Sequence, residues 1–171
     1  MQQRPPEPRL EYLARFSVDL GAPPWEVGRT SGLGDRRIFP IIGGSFDGPL
    51  LRGAILHNGA DWQVVTPEGV SLIDTRYLLR LDDGALVYLQ TRGFRHGPAE
   101  VLAAVAAGDP VDPHDYFFRV YMTFETASDT YDWLNRAMAI GSAMRLANAV
   151  IYDAYLIQQL RVDLATLGGG M

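Results

Sequence analysis

The chain contains no cysteine and no lysine. The first absence removes disulfides, thiolate nucleophiles and cysteine-held metals. The second makes all fifteen basic residues arginine, whose planar fork pairs with carboxylates and phosphates. Histidine is scarce as well: His57, His96 and His114 stand apart with no ligand spacing, so neither a metal site nor a cofactor is expected. The formal net charge is -5 and no basic block interrupts it, which gives nucleic acid no counterion-release surface. No run approaches the roughly 18 apolar residues of a membrane span. The opening segment Met1–Pro8 is polar and proline-rich without a signal peptide's apolar stretch, and cytoplasmic residence is the expectation. No serine sits in a nucleophile elbow. Gly32-Leu33-Gly34 and Gly43-Gly44 lack phosphate-loop spacing, and Asp82-Asp83-Gly84 reads as a hairpin turn.

What the chain does have is alternation. From Leu10 to Leu20, Tyr12, Ala14, Phe16 and Val18 share one face, and Glu11, Arg15, Ser17 and Asp19 the other. A period of two over this length predicts a half-buried strand. Similar runs follow at 36–42, 50–56, 63–65, 70–81, 85–95 and 115–126. Pro40 inside the second run predicts an edge or a bulge. Pro98–Ala107 is alanine-rich and stopped by Gly108, which predicts a short helix. Ser128–Arg136 predicts a helical turn with Tyr131 and Leu134 facing inward. In 137–147 and 148–160 alanine favours helix while Ile151, Tyr152 and Tyr155 favour strand; both segments are read as strands. With 171 residues, 47% hydrophobic and 20% charged, one domain is expected over 10–160, between tails at 1–9 and 161–171. There is no βαβ rhythm. The predicted fold is mainly β: an antiparallel barrel of roughly eight to ten strands with one or two short helices, closed so that no edge is left open.

Alternation also sorts candidate functional residues. Asp74 and Arg76 share a face, as do Tyr88, Gln90 and Arg92, and as do Phe117, Arg119, Tyr121, Thr123 and Glu125. The other phase of 115–126 is apolar. A mixed face is either wet outer surface or the lining of a lumen that takes a polar aromatic or acidic small molecule. Arg beside Tyr, in place of Lys and Thr, favours the lumen. On that reading Asp61 and Glu125 are the candidate proton-transfer residues, and Trp62, Arg76, Tyr88, Arg92, Arg119 and Tyr121 the candidate substrate-binding residues. His57 lies near Asp61, and Asn58-Gly59 between them reads as a turn.

Six motifs combine into a family pattern. They are Gly43-Gly44-Ser45-Phe46-Asp47-Gly48-Pro49, Gly59-Ala60-Asp61-Trp62, Asp74-Thr75-Arg76-Tyr77, Tyr116-Phe117-Phe118-Arg119, Phe124-Glu125-Thr126 and Tyr131-Asp132-Trp133-Leu134-Asn135. From about Leu10 to Gln158 the chain resembles the domain-of-unknown-function 3237 family. The resemblance implies a small β-barrel-like bacterial or fungal protein with no settled reaction. It draws attention to Asp61, Trp62, Arg76, Arg119, Glu125 and Trp133, the last as a barrel plug. Three functional readings stand side by side. One is an acid–base enzyme without cofactor, of isomerase, cyclase or lyase type, acting on a polar aromatic or keto or carboxylic acid. The others are a non-catalytic carrier using the same pocket, and a structural domain that works as an oligomer. A homodimer is the expected assembly.

Overall fold

In the structure, a computed structural model that describes residues 4–158, the predicted alternation becomes a closed barrel. The strands are β1 (Arg9–Leu20), β2 (Trp25–Thr30), β3 (Gly34–Asp47), β4 (Arg52–Ile55), β5 (Gly59–Val65), β6 (Ser71–Leu81), β7 (Leu86–His96), β8 (Phe117–Glu125), β9 (Met138–Arg145) and β10 (Ala149–Gln158). All pairings are antiparallel, in the order β1-β10-β9-β8-β7-β6-β4-β3-β2. A second β1–β3 ladder, from Arg15 opposite Asp47 to Leu20 opposite Ile41, closes the ring. β4 and β5 share one position between β3 and β6. The result is an eight-strand barrel with two further strands and two helices. The tail predicted at 161–171 lies outside the described residues.

β3 carries most of the closure. Its first half pairs with β2 and β5, and its second half with β1 and β4. Pro40 sits at the seam, between the last β2 partner, Ile38, and the first β1 partner, Ile41. It owes no ladder hydrogen bond there, and its carbonyl accepts from Gly21 N–H at 2.8 Å. At the corner, Gly44 has φ +135, and a Cβ would lie 2.1 Å from the Ser17 carbonyl oxygen. Only glycine lets β1 and β3 approach this closely.

One end of the barrel is a dry plug. Phe16 stacks between Phe46 and Tyr152, with centroids 5.2 and 4.7 Å away. Leu79, Leu89, Met122 and Leu156 fill the space around them and are essentially inaccessible. The 3₁₀ helix Asp129–Arg136 caps this end with Leu134, which is 0% exposed; Trp133 is half-buried against the same core. The helix α1 (Ala99–Ala107) covers the opposite end with Val105. Pro98 occupies its N-cap position, and Gly108 closes it at φ 83. No helix among the described residues is long and apolar enough to cross a membrane.

The plug makes a direct prediction. Leu134→Ala leaves a hole in a sealed layer and lowers stability by about 2–4 kcal/mol. Trp25→Ala, at a side chain 70% exposed, changes it by less than about 0.5 kcal/mol. Urea denaturation midpoints at constant m-value check both.

Candidate functional site

The barrel wall assigns each strand an inside and an outside. An eight-strand lumen is just wide enough for side chains to fill, so the apolar phase must point in. On β8 that phase is Phe118, Val120, Met122 and Phe124, all buried. The mixed phase points out, which corrects the expectation of an arginine-and-acid lumen. Glu125, Arg119 and Tyr121 are exposed on the outer wall. Arg92 is exposed, and Tyr88 half-buried, on the outer face of β7. Trp62 and Arg76 are half-buried on the outer faces of β5 and β6.

These outer residues pair among themselves. Arg76 donates to Asp74 at 3.0 Å, and Gln90 donates to the same carboxylate at 3.2 Å. The Arg76 guanidinium lies 5.3 Å from the Trp62 ring centre. Arg119 lies over Phe117 at 5.4 Å and donates to the Phe118 carbonyl. Glu125 stands opposite Tyr88 across the β7–β8 ladder and lines an open groove of the outer wall. Of the eight sequence candidates, Asp61 is the one that faces the lumen.

Asp61 owes its place to the pleat of β5, which turns Asp61 and Gln63 inward together. Asp61 is 9% exposed. One oxygen accepts from Gln63 at 3.2 Å, and the other from the Asp74 backbone N–H at 3.2 Å. Burial pushes its pKa up to about 6, against the lowering pull of those two donors and of Arg95.

Around Asp61 the lumen has two levels. At the mouth is a chamber of about 310 Å³, lined on β5 by Gln63 and not by Asp61 two residues before it. Arg37, Arg95, Arg145, Gln63, Glu26 and Phe39 line it, with α1 and the β1–β2 turn as rim. Below is a narrow shaft of about 40 Å³ among Asp61, Thr75, Thr91, Tyr77 and Tyr152, walled by Ile41, Ile73, Phe118 and Val120.

The chamber is rich in positive charge. Arg95 donates to Ser71 at 3.2 Å and lies over the Phe118 ring at 5.6 Å. Arg145 lies over Phe39 at 5.3 Å and donates weakly to the Ala147 and Ala149 carbonyls. Stacking fixes the plane of each guanidinium. Among the described residues neither has a carboxylate within ion-pair distance. Desolvation lowers the pKa of Arg95 and pushes that of Arg145 down to about 10, so Arg145 stays cationic at neutral pH. Arg37 leans on Glu26 at 3.6 Å, and its buried Nε has no hydrogen-bond partner. A pocket of this kind attracts an anionic or electron-rich oxygen, and its Gln63 donates to a carboxyl that titrates near neutrality. Among the described residues no three His, Asp or Glu side chains gather as a metal would need.

Sequence reasoning passed over Arg37, Gln63, Arg95 and Arg145. The three arginines each extend the inward, mainly apolar phase of their own strand, with Arg37 before Phe39 and Ile41, Arg95 after Val87, Leu89 and Thr91, and Arg145 after Ala139 and Ala143, while Gln63 shares its phase with Asp61. A polar residue that ends an apolar phase marks a barrel mouth, and that signal was present in the sequence.

Comparison with known proteins fits this architecture. Residues 8–157 match the family described as "Protein of unknown function (DUF3237)", and the chain belongs to that family. A UPF0311 protein of Rhodopseudomonas palustris is 40% identical over 126 residues, which is 74% of this chain and 82% of that protein. The crystal structure of a β-barrel-like protein from Acinetobacter baumannii superposes with a TM-score of 0.81 at 60% identity, covering 92% of this chain and all of that one (100%). A more distant relative is the hydroalkoxylation enzyme phnH of Penicillium herquei, 27% identical over 143 residues, 84% of this chain and 79% of that enzyme.

The raised pKa of Asp61 sets a sign for stability. The folded state holds the Asp61 proton more tightly than the unfolded chain, so this contribution is full below pH 4. It is lost as pH rises from about 4 to about 6. A shift of this size corresponds to about 2–3 kcal/mol. Asp61→Asn is therefore expected to flatten the stability profile over that interval and to leave the protein more stable than wild type at pH 7. Denaturation at a series of pH values tests both.

Proposed function

We propose that the chain is an acid–base enzyme that works in the barrel mouth on a small polar aromatic, keto or carboxylic acid, with chemistry of the isomerase, cyclase or lyase type. The observation that carries this reading is Asp61: a desolvated carboxyl with pKa near 6 beneath three arginines. At neutral pH such a group is present in both protonation states and can give a proton or take one. Arg95 and Arg145 hold the substrate's carboxylate, phenolate or developing oxyanion, where charge-assisted hydrogen bonds are strongest. The relative named for hydroalkoxylation supports this class. Addition of an O–H across a carbon–carbon double bond places a proton on carbon and removes one from oxygen, and a single carboxyl can do both in turn. The protein is further proposed to be a cytoplasmic homodimer, joined through exposed apolar side chains of the outer wall such as Phe94, Phe117, Tyr121 and Met138. A purely monomeric mass in light scattering contradicts that assembly.

A thermal-shift screen with aromatic acids, keto acids and unsaturated phenols tests the reading, since a ligand that binds only the folded state raises Tm. The shift by a hit is expected to disappear in Arg145→Ala. Turnover of that hit is expected to fall at least about 100-fold in Asp61→Asn while binding persists, and to survive in Glu125→Gln. Loss of turnover in Glu125→Gln with retention in Asp61→Asn contradicts the assignment. Binding without turnover of any hit leaves the carrier.

A further inference from the structure

The shaft below Asp61 is lined by two hydroxyl pairs, each with one proton that the bond within the pair does not use. The Tyr77 and Tyr152 hydroxyls are hydrogen-bonded to each other and, among the described residues, to nothing else. The two side chains are 3% and 4% exposed. Burial raises both pKa values, so each phenol keeps its proton. A pair of hydroxyls carries two protons, and the bond between them uses one. The other is given to no acceptor among the described residues. Thr75 and Thr91 repeat the arrangement at 2.6 Å; they are 9% and 4% exposed and stand opposite each other across the β6–β7 ladder. Asp61, opposite Thr75 on β5, takes its hydrogen bonds from Gln63 and the Asp74 backbone. All five residues line one space of about 40 Å³, room for two or three atoms the size of a water oxygen. A buried donor without an acceptor weakens the fold until something supplies one.

We infer that this shaft is a second subsite, which takes an acceptor oxygen at the far end of the substrate, a carbonyl or ether, on the uncommitted hydroxyl protons of the Tyr77–Tyr152 and Thr75–Thr91 pairs. The inference rests on the chamber reading above and narrows its substrate class. The ligand has an acidic group at one end for Arg95 and Arg145, an apolar body in the chamber beside Phe39, and at the other end a neutral oxygen small enough for the shaft. That end then lies beside the Asp61 carboxyl. Tyr152 stands opposite Ala143, two places along β9 from Arg145, so the two ends belong to neighbouring strands, and a single-ring para-substituted acid is the simplest probe of both.

Two probes of one shape decide the matter: 4-acetylbenzoate, which carries a carbonyl oxygen, and 4-isopropylbenzoate, which does not. Calorimetric titration of the full chain is expected to show the acetyl compound binding roughly tenfold more tightly. Arg145→Ala should weaken both probes alike. Tyr77→Phe and Tyr152→Phe should each retain most of the preference, because the phenol that remains no longer gives its proton to a partner. The double variant should lose the larger part of it, the Thr75–Thr91 pair keeping the rest, with the isopropyl compound unaffected. Single variants that lose as much as the double would assign the tyrosine pair a structural role and overturn the subsite. Equal binding of the two probes to the wild type also overturns it, and needs no variant to fold. Binding of neither probe overturns the chamber reading itself.

Discussion

A carboxyl group inside an eight-strand barrel has little room to be charged. The lumen is filled by side chains, water is largely excluded, and the ionised form loses the hydration that favours it in solution. Asp61 meets this constraint with two hydrogen bonds, from Gln63 and from the Asp74 backbone, and with three arginines held at the mouth above it. None of the three arginines pairs with it directly. The compromise leaves a group that titrates near neutrality, and the rest of the site follows from it. A closer guanidinium would fix the carboxylate as an ion, and an apolar lid would fix it as an acid.

The barrel is divided to serve that compromise. The half between the Phe16–Phe46–Tyr152 stack and Leu134 is sealed and apolar, and it supplies the cohesion of a chain without disulfides. The other half gives up packing for polar side chains, an open chamber and a narrow shaft. Stability and chemistry are thus placed at opposite ends of the same strands. β6 shows the gradient within one element: Ser71, Ile73, Thr75, Tyr77, Leu79 and Leu81 all face inward, polar toward the mouth and apolar toward the plug.

Much of the fold is legible in the sequence because alternation is a local signal. Leu10–Leu20 and the apolar phase of 115–126 identify their strands and their buried faces without reference to any partner. The short helix before Gly108 and the turn around Leu134 are equally local. Which face of a barrel strand carries function is a different matter, because it depends on how wide the closed sheet is. The mixed faces holding Arg76, Arg92, Arg119 and Glu125 suggested a polar lumen. In a barrel this narrow they make the outer wall, with Asp74 as their shared acid on β6 and β7. Asp61 was visible through its motif. Arg95, Arg145 and the tyrosine pair were hidden among core positions, because a polar residue in an apolar phase gains meaning only once strand ends are assigned to a mouth or a plug.

The central claim is electrostatic, and the Asp61 carboxyl reports it directly. With ¹³C-labelled aspartate, the Asp61 side-chain carbon followed by NMR from pH 3 to pH 9 is expected to titrate with a midpoint near 6, and the midpoint is expected to move when an aromatic acid occupies the mouth. A midpoint near 4 that no ligand moves would mean a solvated carboxylate, and would contradict the account.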